Sequence, residues 1–201
     1  MHNRPCPLMT RRPLLAALLS AALMPMQPAL AQAHRAAAMG LAFRGKTYVH
    51  RWSKAGQHEF TPDGDTDLAR WSDMLTLNVH GSVHSGEALA GVANGVLANY
   101  QGHGKVLQTR STPRSASQPA EHFMAAVLGR ADFLEAAFAR CVLVENTGLV
   151  LVVSHRIYGQ KVGPAMSEWL AGQGGGAEQA LMAWSQWPSL AKLQALPQSP
   201  S

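Results

Sequence analysis

Three residues with metal-ligand chemistry stand close together in the stretch Asn78–Leu89, which reads NVHGSVHSGEAL. His80 and His84 are four residues apart, and Glu87 follows three residues later. Imidazole nitrogens and carboxylate oxygens both bind zinc in proteins, and a catalytic zinc keeps three protein ligands and one open position. His80, His84 and Glu87 are therefore the candidate ligands for zinc or another divalent metal.

The same residues have an ordinary structural interpretation. Gly81 suits a turn, Ser85 suits a helix N-cap, and Glu87 lies in a first helical turn, where the helix dipole favours a carboxylate. In the HExxH arrangement both histidines share one helix face, whereas His80 ends a predicted strand and His84 precedes the cap. The sequence favours the turn and cap, so we expect no cofactor, and a metal site is the alternative.

Four polar residues on two predicted strands form a further candidate patch: His122, His155, Arg156 and Tyr158. A solvated strand face gives the same pattern, so both interpretations stay open. Ser154 precedes His155 directly, and because neighbours in a strand face opposite sides, these two cannot act together as nucleophile and base. The chain has no G-x-S-x-G motif that would favour a serine hydrolase.

Seven strands are predicted from hydrophobic alternation, three before and four after one long helix. The first three are Lys46–Ser53, Gln57–Pro62 and Asp73–His80; the later four are Lys105–Thr112, Ala120–Gly129, Phe133–Glu145 and Leu149–Gly159. The last two flank Asn146–Gly148, which predicts a compact hairpin turn. The segment LEAAFAR is equally compatible with a helix.

A long amphipathic helix is predicted over about 85–101 from apolar residues at helical spacing. The face that we expect to pack on the sheet carries Leu89, Val92, Ala93, Val96, Leu97 and Tyr100. Pro164 and the apolar stripe that includes Trp184 predict C-terminal helices, which Gly174–Gly176 would separate as a flexible break. The tail 188–201 is expected to be loose.

This order of elements predicts an α+β fold, in which a single antiparallel sheet of about six or seven strands is flanked by the long helix and the C-terminal helices. One domain is expected, over residues 34–187. The order resembles that of the PsbP/Mog1 fold. The segment from FTPDGDTDLARWSDMLTLNVH to SHRIYG is similar to an exported proteobacterial family without an assigned function. Neither resemblance implies catalytic residues.

The N-terminus has the features of a cleaved export signal. Arg4, Arg11 and Arg12 precede the apolar run Leu14–Met24, and ALAQA supplies small residues for cleavage after Ala31 or Ala33. The run is shorter than the about 20 residues that span a membrane, so no transmembrane segment is expected after cleavage. TRRPLL also resembles a twin-arginine signal, although a leucine stands at its usual phenylalanine position. Both export routes stay open, and each predicts a periplasmic or secreted protein.

Net charge and cysteine content limit the classes of function that the sequence supports. Removal of residues 1–33 takes three of the 17 basic residues and none of the 12 acidic ones, so the formal charge falls from +5 to +2. Such a small charge gives no reason to expect nucleic-acid binding. Cys141 is then the single cysteine, and its apolar neighbours predict an inert core thiol. We therefore expect a non-enzymatic binding or accessory domain for a small molecule or an envelope protein. The alternative is a small periplasmic enzyme, such as a hydrolase using a metal at His80, His84 and Glu87.

Overall fold

The computed structural model describes residues 39–116 and 118–200, and the predicted export signal lies outside them. Within these residues, eight strands form one antiparallel sheet in the order β1-β2-β3-β4-β8-β7-β6-β5. The strands are β1 (Gly40–Phe43), β2 (Lys46–Lys54), β3 (Gln57–Pro62), β4 (Asp73–His80), β5 (Gly104–Thr112), β6 (Glu121–Gly129), β7 (Phe133–Val144) and β8 (Thr147–Tyr158). The α+β class is confirmed, and the sheet has one strand more than predicted.

The sheet consists of two four-stranded meanders, β1–β4 and β5–β8, which meet where β4 pairs with β8. Tight turns connect the two strands of a hairpin. Glu145 and Asn146 between β7 and β8 both have positive φ angles, 49° and 59°, as a two-residue type I′ turn requires. The segment LEAAFAR, which the sequence left open, is part of β7. The additional strand, β1, has only four residues, GLAF, and its three consecutive apolar residues show no alternation in the sequence.

One face of the sheet is covered by the long helix α1 (Gly86–His103), as the sequence predicted. Ser85 is its N-cap, and its Oγ accepts a hydrogen bond from the backbone N–H of Ala88 at 3.1 Å. Small side chains beneath the helix allow a close approach to the sheet, among them Ala126, Ala137, Ala139 and Cys141. We call this side the α1 face. Leu89 is fully buried there, whereas Val92, Val96 and Leu97, which we expected to be buried, are only half-buried.

The opposite side, which we call the C-terminal face, is covered by a helix of 21 residues. It runs through α2 (Gly163–Trp169), a π-helical turn (Leu170–Gly174) and α3 (Gly175–Ala183) without interruption. The predicted flexible break at Gly174–Gly176 is therefore wrong. Gly174 is buried where a Cβ would lie 3.7 Å from the ring of Phe138, so tertiary packing outweighs the low helix propensity of the glycines.

Arg140 of β7 fixes the end of this helix. Its guanidinium donates hydrogen bonds to the carbonyl oxygens of Leu181 at 3.1 Å and Trp184 at 2.9 Å. Its Nε lies 2.7 Å from a carboxylate oxygen of Glu121. Because the last carbonyls of a helix have no partner within it, a buried arginine that binds them stabilises its C-terminus.

The C-terminal segment also differs from the expectation of a loose tail over residues 188–201. It forms α4 (Leu190–Gln194), which begins after the N-cap Ser189. Leu190 and Leu193 lie one helical turn apart and are buried on the C-terminal face. The spacing of these two leucines was the sequence signal for an amphipathic turn. Among the helices described in residues 39–116 and 118–200, none is long and apolar enough to cross a membrane.

Candidate functional site

The three candidate metal ligands have separate roles in the structure. His80 ends β4 and is half-buried on the α1 face, while Glu87 is exposed in the first turn of α1. His84 Nδ1 donates a hydrogen bond to the carbonyl oxygen of Asn146 at 2.7 Å. Within the described residues, no group of three or more His, Cys, Asp or Glu side chains is placed to hold a metal ion. The residues follow the turn-and-cap interpretation of this stretch, with Ser85 capping the helix.

The polar patch predicted from His122, His155, Arg156 and Tyr158 is divided by the sheet. His155 lies on the C-terminal face, where its Nδ1 is 2.8 Å from Asp73 Oδ1 and its ring stacks on Trp169 at 4.3 Å. His122 lies on the α1 face at the opposite end of the sheet from Arg156, and its Nδ1 is 2.9 Å from Ser111 Oγ. The four residues therefore do not form one patch, because strand alternation separates His155 from Arg156 and the length of the strands separates His122 from Arg156.

Arg156 and Tyr158 belong to an aromatic cluster on the α1 face. The Arg156 guanidinium stands 3.8 Å from the ring centroid of Trp71 and 4.1 Å from that of Phe133, and its Nε is 2.7 Å from Glu135. Tyr158 donates a hydrogen bond to the carbonyl oxygen of Trp71 at 2.9 Å. The Arg156 guanidinium and the Glu135 carboxylate pair with each other, so neither charge is free. The cluster therefore holds the loop before β4 on the sheet.

A serine between two imidazoles is a cluster that the sequence did not reveal. Ser53 Oγ lies 2.6 Å from His50 Nε2 and 2.7 Å from His58 Nδ1. His50 and Ser53 are three residues apart, so regular alternation would place them on opposite faces. A β-bulge at Arg51 adds one residue to β2 and turns both side chains to the C-terminal face.

This Ser53 cluster is unsuited to nucleophilic catalysis. Ser53 and His58 are 0% and 1% exposed, so no substrate reaches the hydroxyl. Burial lowers the pKa of His50 and of His58, and the proximity of His50 lowers the pKa of His58 further. The one described cysteine is equally inert, since burial raises the pKa of the Cys141 thiol to about 12.

A site with the geometry of a ligand pocket lies between α1 and the centre of the sheet. Because α1 packs mainly on β5, β6 and β7, it leaves β4 and part of β8 half-covered on the same face. A groove of about 460 Å³ opens there. The residues lining this α1 groove are Asn78, His80, Val92, Gly95, Val96, Asn99, Tyr100, Val150 and Val152. Its volume lies in the range of small-molecule sites, about 300–1,000 Å³.

The lining of the α1 groove is neutral and largely apolar. Four valines form most of its walls, and two asparagine amides and one imidazole supply hydrogen-bonding groups. Burial lowers the pKa of His80, which keeps its imidazole uncharged at neutral pH. Burial raises the pKa of Tyr100, so its phenol is uncharged as well. A few polar groups among apolar walls are typical of a site that orients a small ligand.

Gly95 leaves one wall of the α1 groove open. It is exposed on α1, and a Cβ at this position would meet no atom within 4 Å. A larger side chain there would extend from a position that lines the groove. Gly91, one turn earlier on the same helix, is also exposed with nothing within 4 Å, but it does not line the groove.

Comparison with known proteins adds no family to this description. No protein-family model matches the chain, and the search of curated proteins returned no significant match. The fold and the α1 groove therefore define the class of protein on their own, as an α+β domain with one antiparallel sheet and a neutral groove beside its long helix.

Proposed function

We propose that this chain is an exported, non-enzymatic binding protein whose α1 groove takes a small, uncharged and largely apolar ligand. The observation that carries the proposal is a groove of about 460 Å³ without a charged lining residue. Transfer of a charged group from water into such surroundings is unfavourable, because no partner replaces its hydration. An uncharged ligand with one hydrogen-bonding end suits the valine walls together with Asn78, His80 and Asn99.

Export to the periplasm is part of this proposal. It is supported by the paired arginines Arg11 and Arg12, the apolar run Leu14–Met24 and the small residues before Ala33. A periplasmic binding protein needs no nucleophile or general base. The Ser53 hydroxyl and the Cys141 thiol are both buried.

The test uses two dyes that differ by one charge. N-Phenyl-1-naphthylamine is uncharged and apolar with a single N–H, and 8-anilino-1-naphthalenesulfonate carries a sulfonate on the same ring system. Fluorescence titration of the purified protein should show that the uncharged dye binds at least about tenfold more tightly than the sulfonate, since the groove offers no cation to the anion.

Gly95→Leu and Gly91→Leu form a matched pair for this titration. Both replace an exposed glycine of α1, and leucine has the higher helix propensity, so both variants should fold. Gly95→Leu fills the α1 groove and should weaken binding of the uncharged dye at least about tenfold, while Gly91→Leu should leave it unchanged. Equal affinity in all three proteins, or a preference for the sulfonate, would contradict the proposal.

A further inference from the structure

A second surface, unrelated to the α1 groove, is formed by the edge strand β5. It pairs with β6 on one side only and ends the order of strands in the described sheet. Eight of its nine residues are exposed, and Val106 is half-buried. An edge strand with free backbone N–H and C=O groups is a template for another extended segment.

This edge adjoins an apolar cavity on the C-terminal face. The cavity measures about 430 Å³ and lies between β5 and α2. Val127, Leu134, Met166 and Leu170 provide its apolar walls. Leu107 lies at its rim and is 45% exposed, which makes it the one large hydrophobic side chain that is exposed in the described part of the chain. An unpaired backbone edge next to a side-chain pocket is the arrangement that binds a peptide by strand addition.

The charges on this edge indicate the kind of segment that fits. β5 carries Lys105 and Arg110 and no acidic residue, and Arg110 is already paired with Glu178 at 2.9 Å. Lys105 also lines the cavity, with His103 beside it. The basic side chains of β5 disfavour pairing of two β5 edges, because like charges would then approach one another. An acidic residue beside Lys105 meets no such repulsion.

We propose that β5 binds an extended, acidic segment of a partner protein as a ninth strand of the sheet. Main-chain hydrogen bonds to the β5 edge hold the segment. Its side chains alternate, so every second one faces the C-terminal side, and an apolar residue there enters the cavity between β5 and α2. An acidic side chain two positions from that apolar residue faces the same side and lies beside Lys105. This partner surface is independent of the small ligand in the α1 groove.

The probe for this proposal is a phage-displayed library of random nonapeptides, matched in length to β5 and selected on the purified protein. We expect enrichment of sequences in which an apolar and an acidic residue stand two positions apart, so that both face the C-terminal side. A labelled peptide of the enriched sequence should bind in fluorescence anisotropy. Two versions of this peptide, each N-methylated at one alternate set of amides, keep all side chains. The version whose methyl groups face β5 should lose binding, because it cannot complete the ladder, and the other version should still bind.

Charge reversal at two exposed lysines locates the contact. Lys105→Glu should weaken binding of the enriched peptide about tenfold, and Lys54→Glu, at the end of β2 in the other half of the sheet, should not. The proposal is overturned if no sequence or only a basic sequence is enriched, if neither N-methylated version loses binding, or if both lysine variants behave alike. It is also overturned if sedimentation shows a dimer that Leu107→Ser dissociates, because a second copy then occupies the edge.

Discussion

At the scale of single residues, the least expected feature is the Ser53 hydroxyl shared by His50 and His58. With both imidazoles neutral, the hydroxyl donates to one ring nitrogen and accepts from the other. Protonation of one imidazole preserves both bonds, but protonation of both leaves the serine hydrogen without an acceptor and places two cations around one oxygen. Ser199 lies next to the cluster, and its backbone N–H donates a hydrogen bond to the carbonyl oxygen of Ser53 at 2.7 Å.

The stability of the protein should therefore fall in mild acid. Burial lowers the pKa of both imidazoles below the value of about 6.5 for an unfolded chain, so the unfolded state binds more protons as the pH falls through 6.5. The free energy of unfolding should decrease by up to about 1.4 kcal/mol per pH unit for each imidazole that stays neutral in the folded state. Urea unfolding between pH 8 and pH 5 measures this decrease.

His58→Gln is the informative variant for this measurement. It keeps a hydrogen-bonding partner for Ser53 but does not titrate, so its stability should depend less steeply on pH than that of the wild type. His103→Gln is the control, because His103 is exposed at the end of α1. An unchanged pH dependence in His58→Gln would show that the buried pair is not the group that titrates.

At the scale of elements, the sequence predicted regular strands well and irregular backbone poorly. The bounds of β3 and β4 agree with the prediction to the residue, because each alternates cleanly between turn signals. The bulge at Arg51 follows from pairing between β2 and β3, which no local pattern reports. The α1 groove was missed for a similar reason. The sequence predicted the helix and the strands that form its walls. It did not predict how far α1 lies from β4 across the sheet, because that position depends on how α1 packs.

The glycine-rich segment after α2 gives the clearest case in which packing overrides propensity. Gly175 has helical backbone angles, φ −60° and ψ −39°, is exposed, and has room for a Cβ, which would meet no atom within 4 Å. Gly175→Ala should therefore raise the free energy of unfolding by about 0.5–1 kcal/mol, because alanine loses less backbone entropy in a helix.

Urea unfolding of Gly175→Ala decides between a helix and a flexible break. Gly45→Ala is the comparison, since Gly45 has a φ of 73° in the turn between β1 and β2, where alanine is strained. Stabilisation at residue 175 and destabilisation at residue 45 are expected. No gain at residue 175 would favour the flexible break that the sequence suggested.

At the scale of the whole domain, the C-terminal segments join the two meanders. The 21-residue C-terminal helix packs on β7 and β8 and is held by Arg140. Gln173 in its π-helical turn accepts a hydrogen bond at 2.9 Å from Arg44, which lies between β1 and β2. The chain then continues through α4 to Ser199, which bonds to β2. The sequence predicted the α+β class from the order of elements. It did not predict the hydrogen bonds from Arg44 and Ser53 to the C-terminal segments. Each of these bonds joins residues more than 100 positions apart, and such pairs produce no periodic pattern in the sequence.

Truncation after Trp187 tests whether this C-terminal layer is integral to the fold. It removes Leu190 and Leu193, which are 7% and 0% exposed, and uncovers the core around them. At about 1.5–3 kcal/mol for each buried leucine, the free energy of unfolding should fall by about 3–6 kcal/mol in urea titration. Truncation after Leu196 keeps α4 and removes the two bonds between Ser199 and Ser53, so about 1–2 kcal/mol should be lost. If the truncation after Trp187 changed the stability by less than about 0.5 kcal/mol, residues 188–201 would be the loose tail that their composition suggests, because loss of two buried leucines exceeds that amount.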